Sequence, residues 1–485
     1  MANYKPLSCF MAAAIFAIAQ GVGAVGLPDV PNTHQGKFLP NTTNFTDSFG
    51  GGKPDLWLRL RYENVSDDIP SGSALVGTED AELLSLRAVL GYTTARYYGF
   101  YGRAELEANR RIGSDEALNV DEDLTFPPGP TGSRITEGHA LIPDNNFEEI
   151  NEAYIGWRSP TGSCPNAPEP CNGNTSIKLG RQAIIYDNHR WVGNIVWRQN
   201  FQSYDAVRID NTSIENLSIS YVYLDRVNRT FGDDSAFDEF DMNDSHLINV
   251  AYQFPFGKLT GYGYLLDFED NPNTPFPEGV GAVGTPGIQN FDSDTWGLRF
   301  MGKHKLSDAF TFLSELEWAN QDPSGDAGPT LSDNDYYNVE IGSAFKVGGK
   351  PVVVKVGREV LEGNGVNAVQ TPLATIHAFN GWADKFVGAP GGTATPVGGL
   401  EDTSATVVIK GLIGKSKLVF QYHDYQADQT VGGISDYGDE WGVLFAKPFT
   451  KQWLGLVKYA NFEDGGDGFS FDTEKYWVMV QYRIK

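Results

Sequence analysis

Apolar and polar residues alternate with a period of two along most of the chain. Leu56, Leu58, Leu60 and Tyr62 share one face, while Trp57, Arg59, Arg61 and Glu63 share the other. Between Leu84 and Tyr92, one face carries Leu84, Leu86, Ala88, Leu90 and Tyr92. Phe100, Gly102, Ala104 and Leu106 likewise oppose Tyr101, Arg103, Glu105 and Glu107. This is the pattern of strands with unlike surroundings on their two faces. Followed to the end, it predicts eighteen strands, near 55–64, 81–94, 97–108, 147–158, 174–182, 203–211, 215–226, 243–253, 257–268, 292–303, 308–321, 332–347, 351–361, 403–411, 415–426, 436–447, 451–463 and 472–484. Most are about 10 residues or longer, the length a tilted strand needs to cross a bilayer.

Soluble sandwiches also alternate, so connection lengths decide between the two. Short turns such as Ala95-Arg96, Pro255-Phe256, Gly348-Gly349-Lys350 and Pro448-Phe449-Thr450 take turns with long segments at 109–146, 183–202, 227–242, 269–291 and 362–402. An even strand count with this asymmetry predicts an all-β fold: a single transmembrane antiparallel barrel with short periplasmic turns and long extracellular loops. Aromatics near strand ends, among them Tyr62, Trp157, Trp318, Tyr336-Tyr337, Trp441, Trp453 and Tyr476-Trp477, are expected to form interfacial girdles, with Tyr476 placed outward by the alternation of the last strand.

Composition narrows the class further. The 485 residues carry a formal charge of −25, with 55 Gly, 29 Phe, 22 Tyr and 10 Trp. An acidic chain without basic blocks does not neutralise phosphates, which excludes nucleic acid as a partner. Residues 1–24 read as a secretory leader, with Lys5 before the apolar run Phe10–Ala19 and small residues at Val22-Gly23-Ala24. Its loss would take the charge from −25 to −26. The resulting plan is leader 1–24, periplasmic N-terminal segment 25–54 and barrel 55–485. Cys164 and Cys171 close a short Pro-rich loop and are expected to form a disulfide, since two cysteines alone do not complete a metal site. No phosphate loop or cofactor motif is present, so no cofactor is expected. Asp244-Ser245-His246 lacks a nucleophile motif, and the chain does not read as an enzyme.

A charge on the lipid face costs about 2–4 kcal/mol near the midplane. Arg59, Arg61, Arg87, Arg103, Arg208, Arg299 and Lys355, which alternate with apolar residues, are therefore expected to line the lumen, along with Glu105, Glu107 and Glu152. Guanidiniums in a water-filled channel would attract and orient carboxylates through forked hydrogen bonds. The alternative is that Arg–Glu ladders neutralise one another and stiffen the wall. Carboxylates crowd the long loops instead, as in Asp233–Asp241, which suits a surface lying beside lipopolysaccharide.

Two segments break the alternation, Gly180–Asn200 and Thr371–Phe386. Both follow a strand on its external side and are expected to fold into the barrel and narrow it. These segments resemble the alginate export family of bacterial outer-membrane barrels. Gly180-Arg181-Gln182, Asp187–Gly193, Trp197-Arg198 and Tyr204–Arg208 form one matching block. Thr371-Pro372-Leu373, His377, Asn380–Asp384 and Phe386 form the other. The resemblance implies an 18-stranded barrel and a channel for an anionic polysaccharide. It implies a selectivity role for Arg181, Arg190, Arg198 and Arg208, and a constriction shaped by Trp197, Asp205, Asn380, Trp382 and Asp384. The functional expectation is an outer-membrane channel for an alginate-like polyuronate or small acidic sugar. The alternative is a general or substrate-specific uptake porin of the same architecture. Expected partners are outer-membrane lipid and lipopolysaccharide, an anionic carbohydrate solute, a periplasmic partner and the barrel-assembly machinery. The last would read the alternating C-terminal strand, which here ends on Lys485 instead of an aromatic.

Overall fold

The computed structural model describes residues 41–68, 80–112, 140, 142–159, 174–233, 235, 238–269, 292–324, 332–388, 392–393 and 395–484. The leader and the Cys164–Cys171 loop lie outside them. Eighteen strands form the wall. They are β1 (Lys53–Asp68), β2 (Ala81–Thr93), β3 (Phe100–Arg111), β4 (Phe147–Arg158), β5 (Thr175–Gln182), β6 (Ser203–Asn211), β7 (Leu217–Asn228), β8 (Glu239–Phe254) and β9 (Gly257–Leu266). The second half comprises β10 (Ser293–Lys305), β11 (Phe310–Pro323), β12 (Asn334–Val347), β13 (Lys350–Leu361), β14 (Leu400–Lys410), β15 (Lys417–Val431), β16 (Ile434–Pro448), β17 (Trp453–Glu463) and β18 (Asp472–Ile484). Each predicted strand is present. Every strand pairs antiparallel with its sequence neighbour, and β1 pairs with β18 from Leu56↔Ile484 to Asp68↔Asp472, which closes the barrel. Closure leaves no unpaired edge, as a lipid environment demands.

The period-two pattern becomes the two faces of this wall. Leu90 and Leu106 oppose each other across β2 and β3 and are 58% and 56% exposed, whereas Arg87 between the same strands is fully buried. Outward apolar and inward polar is the inverse of a soluble barrel and fits a hydrocarbon surround. No helix among the described residues is long and apolar enough to cross a membrane, and the crossing elements are strands. Cross-strand aromatic pairs Trp318↔Tyr337, Tyr422↔Trp441 and Tyr459↔Tyr476 ring the outer face toward the long-loop end. Tyr336 and Trp477, expected in this girdle, instead face inward and are buried. Their neighbours Tyr337 and Tyr476 take the outward positions, so parity overrides residue type.

At the short-turn end, a six-residue helix, α1 (Phe45–Gly50), is capped by Asn44, whose side chain accepts from Thr46 N. The turn between β12 and β13 places Gly348 and Gly349 at φ 55° and 77°, a hairpin geometry that glycine adopts without strain.

Candidate functional site

The lumen is occupied by two long loops, 183–202 between β5 and β6 and, between β13 and β14, the described residues 362–388 and 395–399. Their apolar residues build a core inside the barrel. Ile184, Trp191, Val192, Leu373 and Phe386 pack with wall residues Tyr262, Tyr336, Tyr425 and Phe462. The loops also bond to each other. Gly193 N donates to Leu373 O at 2.9 Å, and Thr375 N donates to His189 O at 2.9 Å. Tyr204 OH on β6 donates to Gly193 O at 2.6 Å.

Both loops meet the wall at one junction. His377 stacks on Trp197 at 4.6 Å and 9°. Its Nδ1 lies 2.7 Å from Asp384 and its Nε2 lies 2.5 Å from Lys458 Nζ on β17. The Lys458 ammonium sits within about 5 Å of Trp197, Trp382 and Trp477, a cage in which cation–π attraction replaces hydration. Arg198 bridges two carboxylates, Glu63 on β1 at 3.2 Å and Asp384 at 2.9 Å. Glu440 on β16 accepts from Trp382 N at 2.5 Å and Ala383 N at 3.0 Å. The preceding Gly381 has φ +84°, and a Cβ there would collide with Glu440 and Tyr425.

Burial, only partly opposed by Asp384, holds His377 down at about 3, and burial likewise holds His189 at about 4. Both imidazoles are neutral at pH 7. In the unfolded chain they would take up protons below about 6.5. These two imidazoles therefore contribute stability that is lost as pH falls from about 6.5 toward 4, and His377→Gln should remove its share of that pH dependence relative to wild type. Urea midpoints at stepped pH measure both effects, and parallel slopes for the two proteins would contradict this assignment.

The expected lumen cations lie on the inner face, mostly beside carboxylates. Arg61 pairs with Glu63 at 3.1 Å and also with Asp144. Arg103 meets Asp55, Glu105 and Glu152. Arg190 pairs with Glu359 at 2.8 Å and bonds Asn380 at 3.2 Å. Arg299 meets Asp187, Glu315 and Glu317. Arg208 pairs with Asp210 at 2.9 Å and Lys355 with Glu340 at 2.5 Å. Arg181 and Asp205 depart from the expectation. They pair with each other at 2.9 Å on the outer face, because Ala153, Arg181 and Asp205 stand in register there while Lys178 and Gln182 point inward.

Arg59 and Arg87 form a different group with Arg483. Arg59 donates to the carbonyls of Val196, Trp197 and Arg198 at 2.9–3.0 Å and meets no carboxylate within ion-pair distance among the described residues. Arg87 pairs with Glu107 through Nε, and its two Nη atoms have no hydrogen-bond partner among the described residues. Its guanidinium lies 3.6 Å from the Phe201 ring centroid. Arg59, Arg87 and Arg483 surround the Trp57 ring at 4.8, 4.5 and 4.4 Å. Here cations exceed carboxylates. Trp57, Phe201, Arg483, Glu440 and Lys458 were not singled out from sequence, although inward parity marks all but Phe201, which lies in a loop.

No protein-family model matches the sequence, and no curated protein does. Solved structures do match in fold. OccAB4 of Acinetobacter baumannii is 13% identical with a TM-score of 0.61, over 89% of this chain and 98% of that one. OccK9 (OpdG) of Pseudomonas aeruginosa is 11% identical with a TM-score of 0.61, over 90% and 99%. OpdK of Pseudomonas aeruginosa, in a structure with vanillate, is 12% identical with a TM-score of 0.61, over 90% and 99%. The chain has the fold of an 18-stranded outer-membrane porin. The resemblance to alginate exporters finds no support in these matches, which are to Occ and Opd porins.

Proposed function

We propose that this chain is an outer-membrane uptake channel for small acidic solutes, not a polymer exporter. The observation that carries this reading is the Arg59–Arg87–Arg483 group around Trp57. It holds three cations and the Glu107 carboxylate, with both Arg87 Nη atoms unpaired among the described residues, below loops that fill much of the lumen. Arg59 and Arg87 are fully buried and Arg483 is partly exposed, so a carboxylate passing there gains charge-assisted hydrogen bonds from Arg483 and the added attraction of the two buried guanidiniums. A lumen so crowded favours single small molecules over a wide hydrated polymer. The vanillate of the OpdK structure belongs to that protein, and aromatic carboxylates of its class join monomeric sugar acids as solutes to test.

The measurement is a reversal potential across planar bilayers under a salt gradient, paired with liposome swelling. Wild type should prefer anions and admit small carboxylates faster than neutral sugars of similar size. The double variant Arg87→Gln, Arg483→Gln should shift the reversal potential toward zero. Cation selectivity in wild type, or equal swelling with neutral sugars, would overturn the reading. Passage of long polyuronates would restore the export alternative.

A further inference from the structure

The short-turn rim carries a charge of the opposite sign to the molecule. Along residues 343–353, 408–420 and 444–455 the sequence holds Lys346, Lys350, Lys410, Lys415, Lys417, Lys447 and Lys451 and no Asp or Glu. In a chain of net charge −25 this is a marked segregation. Three successive turns are involved, 348–349, 411–416 and 449–452. Lys350 Nζ donates to Gly411 O at 2.5 Å and so ties the first turn to the second.

Parity divides these lysines. Lys346, Lys410 and Lys417 stand on the inward register of β12, β14 and β15. Lys350 shares the outer face with its partner Val347, Lys447 stands on the outer register of β16, and Lys415 and Lys451 occupy exposed turn positions. The same tips expose large apolar side chains: Val347 at 59%, Ile413 at 58% and Phe449 at 62%, with Leu412 and Trp453 beside them. Phe449 lies over Gly455 with the Lys447 ammonium 5.7 Å from its ring. Bare apolar tips next to ammonium groups are costly in water but suit the boundary between acyl chains and headgroups. The turns at 212–216 and 255–256, elsewhere on the same rim, contain no Lys or Arg.

We infer that the outward lysines Lys350, Lys415, Lys447 and Lys451, with the apolar tips between them, bind the phosphates of anionic phospholipids in the inner leaflet of the membrane. The inference rests on the reading of the chain as a membrane-spanning barrel. Each tip anchors by its apolar side chain, and the adjacent ammonium meets a headgroup phosphate at the same level. The result is a sector of wall that prefers anionic lipid, set against the turns at 212–216 and 255–256, which carry no Lys or Arg.

The test reconstitutes the full chain into vesicles of equal parts phosphatidylglycerol and phosphatidylcholine, extracts it gently and quantifies retained lipid by mass spectrometry. Wild type should retain phosphatidylglycerol over phosphatidylcholine on the order of fivefold to tenfold, given the electrostatic gain per surface lysine. The variant Lys350→Gln, Lys415→Gln, Lys447→Gln, Lys451→Gln should lose this preference. The same four positions as Arg should keep it, and so should the inward variant Lys346→Gln, Lys410→Gln, Lys417→Gln. Equal retention of the two lipids by wild type, or equal loss in the outward and inward variants, would overturn the inference. Bilayer conductance of each protein separates outcomes: a chain that conducts without lipid preference defeats this inference alone. One that fails to insert defeats the membrane reading as well.

Discussion

Glu440→Ala should undock the 371–388 segment and enlarge the pore. The Glu440 carboxylate accepts from two successive buried amides, Trp382 N and Ala383 N, at the point where the loop meets β16. Removing it strands both donors away from water, at about 1–3 kcal/mol each. The alanine methyl cannot refill the space, and Trp382, which lies against Gly442, loses its register on the wall. A combined penalty of roughly 2–6 kcal/mol would raise the open population of the loop by a factor of about 25 or more, at about tenfold per 1.4 kcal/mol. Single-channel recordings should show higher conductance and more current noise, with protease cleavage appearing within 376–388. Glu440→Gln keeps one acceptor oxygen and should fall between wild type and alanine. Unchanged conductance in Glu440→Ala would mean that the loop does not define the pore.

Arg59→Ala should do the same to the other loop. The Arg59 guanidinium is a fully buried cation whose strong contacts are three carbonyls, those of Val196, Trp197 and Arg198. Charge-assisted hydrogen bonds of this kind contribute about 1.5–3 kcal/mol each. Their loss would free the 196–198 turn, and with it Trp197 from the cage around Lys458 and Arg198 from Glu63 and Asp384. The expected result is a lower unfolding midpoint, larger conductance and weaker anion preference, because one of the three guanidiniums around Trp57 is gone. Arg59→Lys retains the charge but not the fork, so it should recover selectivity better than stability. A variant with wild-type conductance and midpoint would show that the turn is held without Arg59.

Much of this architecture is legible along the chain because a barrel translates sequence into structure one residue at a time. Each strand has two faces, and lipid enforces the assignment of one of them. Arg87 and Leu90 could be sorted from their neighbours alone. The resemblance assigns Arg181 to the lumen, but it sits on the outer register of β5, and Trp477, an aromatic near a strand end, sits on the inner register of β18. The infolding of two loops is visible as a loss of alternation at Gly180–Asn200 and Thr371–Phe386. What these loops touch was not visible. Arg198 finds Glu63 and Asp384 at separations of 135 and 186 residues, and no local period encodes such meetings. The lumen's charge balance was hidden for the same reason. Counting inward arginines suggests a uniformly positive throat, whereas pairing neutralises most of the ring and leaves the surplus at Arg59, Arg87 and Arg483.

The strands that close the barrel are also strands that grip the loops. Arg59, Arg61 and Glu63 on β1 reach residues 196–198 and Asp144, while Lys475 and Trp477 on β18 reach Asp384 and Trp197. The seam between β1 and β18 is thus riveted from inside by the contents of the lumen. The loops enter through the long-loop mouth and, once packed, tie the two end strands together across the lumen. A seam with its rivets in place resists being pried apart sideways in the membrane.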